Sequence, residues 1–206
     1  MRVSLILAHP HGGSFNAALA ATARQALLDL GHGVDFHDLY AEGFDPLLPA
    51  AEIDRHAALP ALVQAHCQEL AQAQGLVVVH PNWWGMPPAI LTGWLDRVLR
   101  PGVAYEFLDG DSGEGVPRGL LRVRTALVLN TSNTEARRER EVFGDTLESI
   151  WRACVCGLCG VRRLERHTFG VVVTSTAAQR AAWLQEARDM VTRLFASRPP
   201  SGGENL

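Results

Sequence analysis

The stretch Gly75–Arg100, GLVVVHPNWWGMPPAILTGWLDRVLR, decides how the chain reads. Leu76-Val77-Val78-Val79 is an apolar run without alternation. That is the pattern of a strand buried on both faces, because helices cover both sides of a parallel sheet. Pro81 stops it. Asn82-Trp83-Trp84-Gly85-Met86-Pro87-Pro88 then reads as an aromatic loop stiffened by prolines, and Ala89-Ile90-Leu91, Trp94-Leu95 and Val98-Leu99 recur at helical spacing. In an open α/β sheet, ligands bind in the crevice at the carboxyl ends of the strands. Two adjacent indoles there can support a flat ring system. They can equally pack beneath a loop, the commoner fate of tryptophan.

Upstream, Val3–Leu7 reads as another buried strand, followed by Ala8-His9-Pro10-His11-Gly12-Gly13-Ser14-Phe15-Asn16 and an alanine-rich helical stretch, Ala17–Leu30. A glycine-containing turn that feeds a helix offers unpaired amides and the positive end of a helix dipole, a site for phosphate. Ser14 and Asn16 also suit plain helix capping, and His9 an ordinary strand end. Val34–Leu39 is a shorter, alternating strand, and a helix is expected over Ala61–Ala73, after Pro60. Downstream, the strand Arg124–Leu129 ends in Asn130-Thr131-Ser132-Asn133-Thr134. Hydroxyl and amide groups there match the alternating donors and acceptors of a pyrimidine edge, or cap the next helix.

A helix over Val142–Cys156, a fifth buried strand over Phe169–Thr174, a closing helix over Ala177–Phe195 and a polar, frayed tail over Ser197–Leu206 are expected in the rest of the chain. Strands alternating with helices predict a flavodoxin-like, doubly wound, five-stranded parallel sheet of order 2-1-3-4-5 with helices on both faces. Residues 1–196 are expected to form one domain.

The 206 residues carry a formal charge of −3 without a basic stripe, which argues against nucleic acid or an anionic membrane as partner. No apolar run approaches the roughly 18 residues of a membrane span, and the apolar start is too short for a signal peptide. The protein is therefore expected to be cytoplasmic and not inserted in a membrane. Cys67, Cys154, Cys156 and Cys159 fit a reducing compartment. Cys154, Cys156 and Cys159 with His167 lack a second paired cluster and have atypical spacing, so no metal site is expected. His32, His37, His56 and His66 carry no ligand-like pattern.

The segment PNWWGMPPAILTGWLDRVL, with Pro81, Trp84, Pro88, Ala89-Ile90-Leu91, Gly93-Trp94 and Arg97-Val98, resembles the NAD(P)H:quinone oxidoreductase family of the flavodoxin-like superfamily, the group of DT-diaphorase and bacterial modulators of drug activity. The AHP-x3-SFN opening resembles that family's first motif, and the likeness runs to about Thr174. It implies that His9, Ser14, Phe15 and Asn16 surround the flavin phosphates and ribityl chain. It also implies that Pro81, Asn82, Trp83, Trp84 and Gly85 hold the isoalloxazine and that Thr131, Ser132 and Asn133 meet its pyrimidine edge. Within the Gly- and Pro-rich stretch Pro101–Gly119, Tyr105 and Phe107 stand where family members line the substrate pocket from the partner subunit of a homodimer. Aromatics that merely anchor a loop are the alternative.

The animal members carry TTGG followed by a tyrosine and a histidine. This chain has Asn130-Thr131-Ser132-Asn133, then Arg138 and Gly144 in place of that pair. No side-chain acid or base is therefore assigned. Arg137, Arg138 and Arg140 either compensate electrostatically or form a solvated helix face. The expectation is a flavoprotein that passes a hydride from NADH or NADPH through flavin N5 to a quinone or similar flat electrophile. FMN is favoured over FAD because the short C-terminal part supplies no obvious adenine pocket. A flavin-binding regulatory subunit of a membrane ion-efflux system and an electron-carrier flavodoxin remain open.

Overall fold

The computed structural model describes residues 1–108 and 114–196; the expected tail, Ser197–Leu206, lies outside them. Five long strands, β1 (Arg2–Leu7), β2 (Gly33–Asp38), β3 (Gly75–Pro81), β6 (Thr125–Ser132) and β7 (Arg163–Gly170), form one parallel sheet of order β2-β1-β3-β6-β7. Counted by long strands alone, that is the expected 2-1-3-4-5. The short strands β4 (Tyr105–Glu106) and β5 (Arg118–Gly119) pair antiparallel as a separate hairpin. This hairpin was not foreseen, since two residues are too few to show a period.

β3 and β6 are buried along their whole length, so neither shows alternation. Successive side chains of a strand point to opposite faces, and the packing follows. Val3, Leu5, Leu7, Val77, Val79, Leu127 and Leu129 join one apolar layer with α1 (Phe15–Asp29) and α6 (Ala177–Phe195). Ile6, Val78, Ala126 and Val128 join the other with α2 (Ala61–Gln72) and α3 (Ala89–Val98). Two apolar layers thus lie on opposite faces of the sheet. α6 begins with a capping box, Thr176 Oγ1 accepting from Gln179 N while Gln179 Oε1 accepts from Thr176 N.

The fifth strand is displaced from its expected position. Phe169–Thr174 supplied an apolar run, but the strand is Arg163–Gly170, and Val173 is 73% exposed. β7 is a sheet edge, half-buried along most of its length, so its RLERHTFG sequence need not be apolar. The expected helix Val142–Cys156 is also divided. Gly144 and Asp145 take positive φ values of 76° and 45°. They separate α4 (Ala136–Glu141) from α5 (Thr146–Ser149), which runs into a π-helix, Ile150–Gly157.

The segment between β2 and α2 is bolted to α3 by a buried ion pair. Arg97 Nε donates to Glu52 Oε2 at 3.0 Å and Arg97 Nη2 to Glu52 Oε1 at 2.6 Å, both side chains 4% exposed. Gly93 in α3 permits this approach, because a Cβ there would lie 2.1 Å from the Pro46 carbonyl oxygen. Gly93→Ala is accordingly expected to lower stability by about 1–3 kcal/mol through overpacking, read as a shift of the urea midpoint; an unchanged midpoint would contradict the close approach.

Candidate functional site

Parallel pairing brings the carboxyl ends of β1, β3 and β6 to one level. Leu7 pairs with Val79, Val79 with Leu129 and Pro81 with Thr131. The turns that leave these strands therefore meet. A cavity of about 240 Å³ is lined by His9, Ser14, Phe15 and Asn16 from the first turn, by Pro81, Asn82 and Trp83 from the second, and by Thr131–Thr134 from the third, with Val172. Trp84 and Gly85 line an adjoining cavity of about 500 Å³ with Phe143 and Thr146. A third, of about 280 Å³, holds Glu139, Arg140, Asp145 and Arg166. Asn82 and Thr134 border all three, so they form one continuous crevice.

The first turn keeps its donors available. Ser14 caps α1, its Oγ accepting from Ala17 N at 3.1 Å and its carbonyl from Ala18 N at 3.1 Å. The helix geometry leaves the preceding amides, those of Phe15 and Asn16, without intrahelical partners. His9 Nδ1 accepts from His11 N at 3.1 Å, which puts the ring proton on Nε2 as a second donor. Burial is the largest influence on His9 and lowers its pKa. Asn16 and Thr131 bind one another: Asn16 Nδ2 donates to Thr131 Oγ1 at 2.9 Å and Thr131 Oγ1 donates to Asn16 Oδ1 at 3.2 Å. Asn16 is thus a tie between turns. Phe15 stacks edge-on against Phe169 and tilts against Trp183, building the floor.

The aromatic loop is a tight reversal. Trp83 N donates to Met86 O at 3.2 Å and Met86 N to Trp83 O at 3.0 Å. Between them Trp84 and Gly85 have φ values of 59° and 76°. Positive φ at both central positions marks a type I′ turn, which favours Asn-Gly or Gly-Gly. Gly85 is required twice over, since a Cβ there would also lie 2.5 Å from Thr146 Oγ1. Trp84 carries a bulky side chain in a left-handed conformation and is 97% exposed. The ring is unpacked, while the turn itself is held through Gly85, whose N donates to Asn82 Oδ1 and whose O accepts from Thr146 Oγ1. Such strain clusters at ligand sites. Trp83 is 41% exposed, its ring 6.0 Å from that of His9. Both indoles are therefore open to a ligand.

A layer behind the crevice escaped the sequence reading. His80 is fully buried next to Pro81. Its Nε2 meets two N–H donors, Asn130 Nδ2 at 2.9 Å and Trp151 Nε1 at 3.0 Å, so it must carry a lone pair there. The ring proton is then on Nδ1 and donates to Pro81 O at 2.8 Å. Burial lowers the His80 pKa to about 4. Arg166 Nη1 reaches Asn130 Oδ1 at 3.2 Å, and the guanidinium is neutralised by Glu148 and Asp145. A histidine inside an apolar strand was the available signal, but its partners lie 50 to 86 residues away.

The other expected residues are distributed unevenly. Tyr105 lines a separate cavity with Leu48, Glu52 and Arg100 and stacks edge-on with Phe107 at 5.8 Å. Neither lines the crevice of its own chain. Arg137 pairs outward with Glu141, Arg138 lies 5.5 Å over the Phe143 ring, and Arg140 faces the crevice. Burial pushes the Cys156 thiol up to about 12 and the Cys159 thiol up to about 11, which makes both poor nucleophiles. Among the described residues, His37, Glu42 and His66 come close enough together to share a metal ion. His66 Nδ1, however, accepts from Trp94 Nε1 at 2.8 Å, which puts the proton on the Nε2 that faces Glu42. A metal at Nε2 would set two N–H groups against each other, and the cluster reads as a hydrogen-bond network.

Two outcomes follow from this geometry. Trp84→Gly removes the left-handed strain and is expected to stabilise the fold by up to about 1 kcal/mol in chemical denaturation; a loss of stability would mean the indole is held by contacts. His80 and His66, both lowered to about 4 mainly by burial, take up protons more readily unfolded than folded. Their contribution is complete above pH 6.5 and is lost as pH falls toward 4, by roughly 3 kcal/mol for His80. His80→Phe should flatten the slope of stability against pH in that window; an unchanged slope would refute the assignment.

Known proteins share this fold. The chain matches the family model described as Flavodoxin-like fold over residues 1–192. It is 33% identical over 172 residues to an uncharacterized NAD(P)H oxidoreductase of Haemophilus influenzae, covering 81% of this chain and 82% of that one. It is 26% identical over 219 residues to the rat ribosyldihydronicotinamide dehydrogenase [quinone], covering 92% and 91% of the two chains. Among solved structures, an NAD(P)H:quinone oxidoreductase from Methanothermobacter marburgensis superposes with a TM-score of 0.81 at 26% identity, over 97% of this chain and 99% of that one. With its sheet order, its strand-end crevice and a match over nearly its whole length, the chain belongs to the flavodoxin-like family.

Proposed function

We propose that this protein is a flavin-dependent NAD(P)H oxidoreductase that reduces quinones or similarly flat electrophiles. One observation carries the reading: three strand-end turns of different chemistry line a single crevice. The amides of Phe15 and Asn16 with His9 Nε2–H suit a phosphate and the indoles of Trp83 and Trp84 suit a flat ring, while Thr131, Ser132 and Asn133, whose side chains already bond Asn16, Glu139 and Val173 N, meet a pyrimidine edge with their remaining donors and acceptors. The NAD(P)H oxidoreductase and quinone dehydrogenase relatives support the same activity.

A bound flavin would accept a hydride from NADH or NADPH and give it up to the acceptor. The chain's own part is to bind and orient. Pro81–Gly85 holds the ring plane, its shape kept by the Gly85 amide on Asn82 Oδ1. Trp84, its ring exposed beside Phe143, faces the acceptor's side of the crevice. Tyr105 and Phe107 reach this crevice only from a second copy of the chain, so the reading includes a homodimer. Residues 1–196 act in it as one cytoplasmic domain.

FMN is the cofactor of this reading. A groove of about 350 Å³ nevertheless continues past Ser14 and Phe15 to Ala177, Arg180 and Leu184 of α6, room that the sequence did not reveal and where FAD would extend.

The purified chain should carry a yellow chromophore that NADH or NADPH bleaches and a quinone restores, with mass spectrometry of the heat-released cofactor giving the mass of FMN. A chain that neither retains nor takes up flavin defeats the proposal. Negligible turnover with every soluble acceptor, flavin present, would favour a regulatory or carrier role. Trp84→Gly should raise the KM for quinone several-fold, since base–aromatic stacking on proteins is worth about 1–3 kcal/mol per ring; an unchanged KM removes Trp84 from the acceptor site.

A further inference from the structure

We infer that His80, Asn130, Trp151 and Arg166 are positioning residues: they form a buried relay that fixes the Pro81–Asn82 peptide and thereby the loop that grips the flavin ring. The inference rests on the flavin reading above and goes beyond it, naming residues behind the turns, of which Arg166 alone also borders the crevice, and outside the family motifs found in the sequence.

The two hydrogen-bonding groups of that peptide are both occupied. Pro81 O accepts from His80 Nδ1 at 2.8 Å, and Asn82 N donates to Thr131 O at 2.7 Å. With both ends held the peptide plane cannot rotate, and Asn82 is delivered with its Oδ1 accepting from Gly85 N at 3.0 Å. The strained Trp84-Gly85 reversal hangs from that contact and from Thr146, whose Oγ1 donates to Gly85 O. A histidine can support Pro81 O in this way only with its proton on Nδ1. Two donors enforce that tautomer by claiming Nε2, and each reaches it from a different element.

Asn130 comes from β6 and is itself oriented by Arg166 Nη1 on its Oδ1, so that Nδ2 faces the imidazole. Arg166 comes from β7, is 8% exposed, and bonds Thr168, Asp145 and Glu148 as well. Trp151 comes from the π-helix, fully buried, with its ring 5.4 Å from that of His80. Winding in which each bond joins residues five positions apart is uncommon and concentrates at functional sites. Here it spans Ile150–Gly157 and carries the indole N–H that meets His80.

The charged groups around the imidazole are consistent with a neutral ring. Arg166 is the cation that acts on it and lowers its pKa after burial, while Asp145 and Glu148 face Arg166 and not His80. A proton added at Nε2 would oppose two N–H donors, displace Asn130 and release the peptide. Flavin affinity is therefore coupled to the neutral state of a side chain that never touches the flavin.

The test compares Trp151→Phe with Trp94→Phe. Each removes the indole N–H of a buried tryptophan from a histidine acceptor, at 3.0 Å to His80 and 2.8 Å to His66 respectively, and each should lower the denaturation midpoint. FMN dissociation constants are then measured by fluorescence quenching from pH 4 to pH 8 for both variants and the wild-type chain. The phosphate of FMN titrates identically in all three, so it cancels in the comparison. Trp151→Phe alone is expected to weaken FMN about tenfold, and its acid limb should move from near pH 4 toward the ordinary histidine value of about 6.5.

Equal FMN affinity in the two variants, or an acid limb that does not move, overturns the relay while leaving the flavin reading intact. A wild-type chain that binds no flavin overturns both. If Trp151→Phe does not fold, nitrogen-15 NMR of the wild-type histidines decides. A His80 ring protonated on Nδ1 at pH 6 sustains the relay, and a ring protonated on Nε2, or charged, overturns it.

Discussion

The constraint on which the rest of the structure depends is the level pairing of β3 with β6, from Gly75 opposite Thr125 to Pro81 opposite Thr131. Both strands are buried throughout, so a slip of one residue would turn every side chain to the wrong apolar layer. That register places the end of β3 beside the end of β6. Asn82 N extends the pairing by bonding Thr131 O, and Thr131 in turn ties Asn16 of the first turn. Three loops far apart in the chain therefore open at the same place.

The crevice shows a division of labour between support and contact. Support is buried, polar and fully paired: His80, Asn130, Trp151 and Arg166 behind β3 and β6, with Asn16 and Thr131 between the turns. No buried side-chain nitrogen or oxygen among the described residues lacks a partner. Contact is left to groups with spare capacity: helix amides, a histidine N–H edge and two exposed indoles. A site built this way holds a planar ligand chiefly through amides and rings, with the charged Glu139, Arg140, Asp145 and Arg166 bordering one part of the crevice.

Much of the fold was legible because it is local or periodic. Leu76–Val79 and Val3–Leu7 announced buried strands by lacking alternation, and Ala177–Phe195 announced its helix by its apolar stripe. The failures share a physical cause. β7 is an edge strand whose half-exposed faces tolerate RLERHTFG, so Val171-Val172-Val173 looked like the better strand. The break at Gly144 and Asp145 and the π-winding from Ile150 leave no periodic trace that a helical template distinguishes. Nor does a hairpin as short as Tyr105–Glu106 with Arg118–Gly119.

What the sequence by itself determined is the set of strand-end turns and the residue types they carry: His9 to Asn16, Pro81 to Gly85 and Thr131 to Asn133. Glycine, proline and capping residues act within a few positions, so their effect is written locally. Only the tertiary structure decided that Trp84 stands in a left-handed turn and that Asn16 serves Thr131. It also placed Tyr105 and Phe107 away from their own chain's crevice and Trp151 and Arg166 behind His80. Those facts join residues dozens of positions apart, and such pairings exist only once burial has fixed which face each side chain occupies.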